Sequence, residues 1–190
     1  MTMGPIPLRI ARMDDAEEID ALIKASIRDI FPRFYSAEQS EASVRYIGSV
    51  DRQLIEDGTY FVADAGGELV ACGGWSRRAK VYTGSGPGAN DDRLLDPATE
   101  AAHVRAMFVR ADWTRRGLGR RILEVSEAAA RAEGFSTLSV LGTLPGVPLY
   151  EAYGFIETQR TEFEMPNGVR IECAEMEKPI GRRYHDGGPG

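Results

Sequence analysis

The residues of this chain best placed to do chemistry gather in one run, "DWTRRGLGRRIL", residues 112–123. Two glycines one residue apart follow a pair of arginines and open directly into a helical pattern. The first turn of a helix carries N–H groups without intrahelical partners, and the helix dipole adds partial positive charge there. Gly117 and Gly119 remove side chains that would hold a phosphate away from that backbone. Arg115, Arg116 and Arg120 add charge around the mouth. Behind them Leu118, Ile122, Val125, Ala129 and Ala132 recur at helical spacing, an apolar stripe suited to a sheet. The run therefore fits a phosphate or pyrophosphate, and equally a plain tight turn. It is not a P-loop, because GxxxxGK[ST] is absent, and the third glycine of a dinucleotide fingerprint is missing.

The elements that must position this turn can be read along the chain. "LRIARM" (8–13) reads as an opening strand, with Asp14 and Asp15 starting a helix over Ala16, Ile19, Ile23 and Ile27. Ser36 and Gln39 form a capping box ahead of a second helix. "TYFVADAGGELVACGGW" (59–75) reads as two strands turned by Gly66-Gly67. An irregular loop, 83–98, precedes a strand at 102–109. The helix after the glycines runs to about Glu133, with Gly134 as its terminator. A strand (136–142), a short helix (147–153) and a hairpin around Asn167-Gly168 complete an α/β domain with a mixed sheet. Residues 1–180 read as that one domain, and 181–190 as a disordered tail.

The bulk properties narrow the function classes. The chain has 190 residues, 43% of them hydrophobic, enough for one ordinary core. A net charge of −6 argues against a general nucleic-acid binder. No apolar run approaches the ~20 residues of a membrane span, and the start lacks a secretory pattern, so a cytoplasmic location is expected. Cys72 and Cys173 match no metal spacing and read as buried reduced thiols; no metal is expected.

Two blocks, "RAMFVRADWTRRGLGRRILE" and, further along, "PLYEAYGF", resemble the GCN5-related N-acetyltransferase (GNAT) superfamily. The first is similar to its acyl-CoA motif, R/Q-x-x-G-x-G/A, and the second to its "YExxGF" segment. Element order extends the resemblance from residue 8 to about 179. Two positions depart from the pattern: Thr114 stands at the motif's leading Gln/Arg, and Thr143 where many relatives carry Asn. The resemblance implies one domain whose mixed sheet is splayed at its centre and flanked by helices. It implies acetyl-CoA as co-substrate, an amine acceptor, no metal, no nucleic acid and no membrane. Family members often dimerise, so a homodimer is also an expectation.

Carried over residue by residue, the resemblance assigns Met107, Phe108 and Val109 to the pantetheine arm, with the Val109 N–H as oxyanion donor. Arg115, Arg116, Gly117, Leu118, Gly119 and Arg120 would surround the pyrophosphate, and Thr143 would keep part of a cofactor contact. Tyr150 would be the acid for the departing thiolate, a plausible role for a phenol, while Tyr153 reads as packing. His103 falls where the histone-modifying branch has its glutamate base, with Glu100 as runner-up. Strand alternation would put His103, Arg105, Met107 and Val109 on one face, with Arg105 about 7 Å from His103 and favouring its neutral form. Phe31, Phe34 and Tyr35, with Asp91, Asp92 and Asp96, lie near the acceptor region of such a fold, although core packing and a solvated loop are the simpler reading. Direct acetyl transfer in a ternary complex is the function implied; a non-catalytic acyl-CoA-binding sensor is the alternative.

Overall fold

The computed structural model describes residues 5–82 and 91–181. Part of the expected loop, 83–90, and nearly all of the expected tail, 182–190, lie outside them. Seven strands are found: β1 (Leu8–Ile10), β2 (Tyr60–Asp64), β3 (Leu69–Ser76), β4 (Ala102–Val109), β5 (Thr137–Thr143), β6 (Ile156–Glu164) and β7 (Arg170–Pro179). The helices are α1 (Ala16–Ile30), α2 (Ala37–Tyr46), α3 (Arg52–Glu56), α4 (Leu118–Ala132) and α5 (Val147–Tyr153). The opening strand is shorter than its sequence pattern, because Met13–Asp15 form a 3₁₀ turn in which the Arg12 N–H donates to the Asp15 carboxylate. The short α3 had no periodic signal; Asp51 starts it by accepting from the Gln53 N–H.

The strands form one sheet in the order β1-β2-β3-β4-β5-β7-β6. All neighbours are antiparallel except β4 and β5. Both expected hairpin turns are present, with Gly66, Gly67 and Gly168 at positive φ. One face of the sheet is covered by α1 and α2 through Ile23, Ile27, Tyr60, Cys72 and Phe108. The other is covered by α4 through Leu118, Ile122 and Leu123. Each of these three fully buried side chains contributes about 1.5–3 kcal/mol.

The buried stripe of α4 differs from the expected one. It runs through Leu118, Gly119, Ile122, Leu123, Ser126, Glu127 and Ala130, while Val125 and Ala129 are half-buried and Ala132 is exposed. The charged member has a cause: the Glu127 carboxylate accepts from Tyr153 on α5, Lys178 on β7 and Arg131. This network ties three elements together, which an apolar pattern does not reveal.

Two features of β4 create the site. Pairing with β5 covers only Ala102–Leu138 and His103–Ser139; beyond that the two strands part. On its other side β4 carries a bulge, where Ala106 and Met107 together face Gly73 and Ala106 sits at φ 50°. A bulge reverses the facing of every residue after it. Met107 and Val109 therefore pack towards α4, and a Cβ at Gly73 would collide with the Met107 sulfur. The expectation that His103, Arg105, Met107 and Val109 share a face is overturned by this one extra residue.

Candidate active site

The parting of β4 and β5 opens two cavities that meet at Met107, Phe108, Thr143 and Tyr150. The larger, about 480 Å³, runs towards the start of α4 and is lined by Val109, Thr114, Arg115, Gly117, Leu118, Gly119 and Arg120. The smaller, about 100 Å³, opens on the opposite side beside Arg105 and Phe163. The sequence candidates Met107, Phe108, Val109, Thr143 and Tyr150 are thus brought together.

The glycine turn works differently at its two glycines. Gly117 is in the left-handed region at φ 78°, with open space where a Cβ would stand. Glycine is required there by conformation, and the start of α4 from Gly117 to Arg120 lines the cavity. Gly119 is buried, and a Cβ on it would come 2.7 Å from Leu149 of α5. It allows α4 and α5 to approach, while also lining the larger cavity. Arg115 also has positive φ, 63°. Arg116 is drawn aside: its guanidinium lies 4.4 Å from the centre of the Trp113 ring and donates to the Asp112 carbonyl. Arg120 lines the cavity, is exposed, and pairs with Glu124 at 3.2 Å.

The ladder also orients Val109. The Arg110 N–H donates to the Val70 carbonyl at 3.0 Å. Neighbouring residues of an antiparallel strand point their backbone groups to opposite sides, so the Val109 N–H and carbonyl turn away from β3, towards the gap. Its carbonyl accepts from Ser26 Oγ of α1 at 2.8 Å, which fixes the peptide. Sequence reading missed Ser26, a small polar residue inside an otherwise apolar helix face.

Tyr150 is 5% exposed and lines both cavities. Burial holds its hydroxyl above the usual phenol range, so it is protonated at neutral pH. No group among the described residues hydrogen-bonds that hydroxyl. Gly142 and Gly146 make room for its ring, since a Cβ would stand 3.1 Å and 2.8 Å from Tyr150 Cε2. Tyr153, read as packing, stacks near Phe155 and donates to Glu127.

The base candidates lie elsewhere. His103 is half-buried, its Nδ1 2.6 Å from Ser139 Oγ, in a depression with Thr158, Glu175 and Glu177 that adjoins the smaller cavity at Val81, Val104, Val140 and Leu141. Burial, reinforced by Arg105, lowers its pKa to about 4. Glu100 accepts two hydrogen bonds from Arg93 and one from the Asp96 N–H, which hold its pKa at about 2. Of the aromatic residues, Phe31 lines the larger cavity, Phe34 is exposed, and the Tyr35 hydroxyl bridges the Glu172 carbonyl and the Leu144 N–H. Asp91, Asp92 and Asp96 are exposed; Asp91 and Asp96 cap local turns. Cys72 and Cys173 are free, buried thiols, each pushed up to about 12 by burial.

A strand splay, a helix start and an unpaired phenol surround one cavity, and comparison decides the family. A model of the acetyltransferase (GNAT) family matches residues 24–155. The chain belongs to this family. Among solved structures, a GCN5-related N-acetyltransferase from Rhodopseudomonas palustris, also described as a class-II aminotransferase, has the same fold. Its TM-score is 0.71 at 22% identity, over 94% of this chain and 98% of that one. The PaiA N-acetyltransferase of Thermoplasma acidophilum, in complex with coenzyme A, gives 0.64 at 15% identity over 93% and 99%. The acetyltransferase yncA of Salmonella typhimurium, with acetyl-CoA, gives 0.63 at 14% identity over 98% and 99%. No curated protein matches the chain. No helix among the described residues of this GNAT protein is long and apolar enough to cross a membrane.

Proposed function

We propose that this GNAT protein transfers the acetyl group of acetyl-CoA to a primary amine by direct attack in a ternary complex. The observation that carries this reading is the meeting of two cavities at the Tyr150 hydroxyl. The larger runs to the start of α4, where a pantetheine-pyrophosphate arm would end, and the smaller would admit an acceptor from the other side. The residues fit acetyl-CoA: Gly117 leaves open space at the α4 start, Arg115 and Arg120 supply charge, and β4 beyond His103 has no β5 partner to displace.

In this reading the amine nitrogen bonds to the acetyl carbon, and the carbonyl oxygen takes up negative charge facing the Val109 N–H. The carbon–sulfur bond then breaks, the thiolate takes the Tyr150 proton, and Tyr150 is reprotonated from water. The surplus proton of the attacking amine leaves through the open acceptor pocket to water. His103 does not line either cavity at Tyr150, and a pKa near 4 makes it a weak base for an ammonium. Catalysis comes mainly from positioning and from the fixed N–H.

The test is release of free CoA thiol from acetyl-CoA across a panel of amines. Amine-dependent release, slowed about 10²–10⁴-fold in Tyr150→Phe with acetyl-CoA affinity unchanged, is the expected result. Binding of acetyl-CoA with no amine-dependent release would leave the protein a sensor and overturn the proposal.

A further inference from the structure

The bulge in β4 sets the facing of every residue that follows it into the gap, yet Ala106 does not favour it. Its φ of 50° is a conformation that residues other than glycine rarely adopt, and at a bulge the ladder to the neighbouring strand is interrupted. The Ala106 carbonyl accepts a hydrogen bond at 2.8 Å from the hydroxyl of Tyr60. Tyr60 stands on β2, two strands away, and is fully buried. It pairs with Gly74 of β3, which in turn pairs with Arg105, the residue before Ala106. The phenol therefore crosses β3 in the row where that strand carries no side chain. The backbones are also close there, since a Cβ on Gly74 would stand 2.1 Å from the Thr59 carbonyl oxygen. Beside it, Gly73 leaves room for the Met107 sulfur. Burial raises the Tyr60 pKa well above the usual phenol range, so the hydroxyl keeps its proton to donate.

We propose that Tyr60 is a positioning residue for acetyl-CoA: its hydroxyl holds the Ala106 carbonyl in the bulged conformation, and so sets the facing of Met107, Phe108 and Val109. This rests on the acetyl-transfer reading, in which those three residues carry the pantetheine arm and the Val109 N–H meets the developing oxyanion. Without the hydroxyl, a flat strand would restore an ordinary φ at Ala106 and reverse the facing of all three. Tyr60 lines neither cavity, so its effect passes through the backbone of β4.

The experiment compares wild type, Tyr60→Phe, Ala106→Gly and the double variant by calorimetric binding of acetyl-CoA and by CoA-thiol release with the amine panel. Tyr60→Phe keeps the ring and removes the hydrogen bond. Acetyl-CoA affinity and kcat should each fall about tenfold, the scale of a buried acceptor left unpaired. Glycine takes φ 50° without strain, so adding Ala106→Gly to Tyr60→Phe should restore most of both. A tyrosine that only filled the core would show no such rescue, because Ala106→Gly adds no contact. Tyr60→Phe with affinity and kcat within about twofold of wild type overturns the inference, as does a double variant no better than the single one. A single variant that fails to fold is read in the double: folding and binding there support the inference, and failure there overturns it. Absence of acetyl-CoA binding by the wild type overturns the acetyl-transfer reading and the inference with it.

Discussion

His103 gives the most quantitative prediction. Its imidazole is half-buried against Ser139, with the positive charge of Arg105 nearby, and its pKa falls from 6.5 to about 4. The folded protein therefore prefers the neutral ring, and acid favours the unfolded chain, where the ring protonates freely. Native stability holds above 6.5 and erodes as pH falls from there towards 4. The full gap corresponds to roughly 3 kcal/mol, of which about 2 would be lost by pH 5. Partial exposure reduces this to roughly 1–2 kcal/mol. With a urea dependence of about 2 kcal/mol per molar, the unfolding midpoint should fall by about 0.5–1 M between pH 7 and pH 5. The variant His103→Asn keeps a polar atom for Ser139 and removes the titration, so its midpoint should fall much less. Urea denaturation of both proteins at the two pH values reads this directly. Equal falls in both would refute the placement of His103. The same variant should also keep the shape of the wild-type pH–rate profile, whereas loss of the acidic limb would restore His103 as the general base.

Two glycine substitutions separate conformation from space. Gly117→Ala puts a side chain at φ 78° with nothing in its way, so about 1–2 kcal/mol of stability should be lost from the backbone alone, together with acetyl-CoA affinity measured by calorimetry; unchanged affinity would mean that the α4 start does not hold the ligand. Gly146→Ala sets a Cβ 2.8 Å from the Tyr150 ring and should lower kcat well beyond its effect on thermal stability, with acetyl-CoA binding retained. A kcat matching wild type would show that the ring position is not critical.

Much of this was legible in the residues because it depends on local signals. Ser36-x-x-Gln39, Gly66-Gly67 and Asn167-Gly168 each fix a cap or turn by their own chemistry, and all three appear where expected. The glycine turn, the strand ahead of it and Tyr150 line one cavity. What was not legible depends on one residue of backbone or on distant partners. The bulge at Ala106 has no glycine or proline to announce it, and it alone separates Met107 and Val109 from His103 and Arg105. The inward turn of Glu127 needs Tyr153 and Lys178, from other elements. Ser26 acquires its role only from Val109, which sits across the fold, and Tyr60 from Ala106, two strands away.

The central claim is that acetyl-CoA lies in the gap between β4 and β5 with its pyrophosphate at the start of α4. Amide hydrogen exchange with and without acetyl-CoA tests it most directly. Slowed exchange at Val109 and at Leu118–Arg120 is predicted, while β1 and β2, which line neither cavity, stay unchanged. Saturating acetyl-CoA that leaves those amides unprotected, or protects a different surface, would contradict the account.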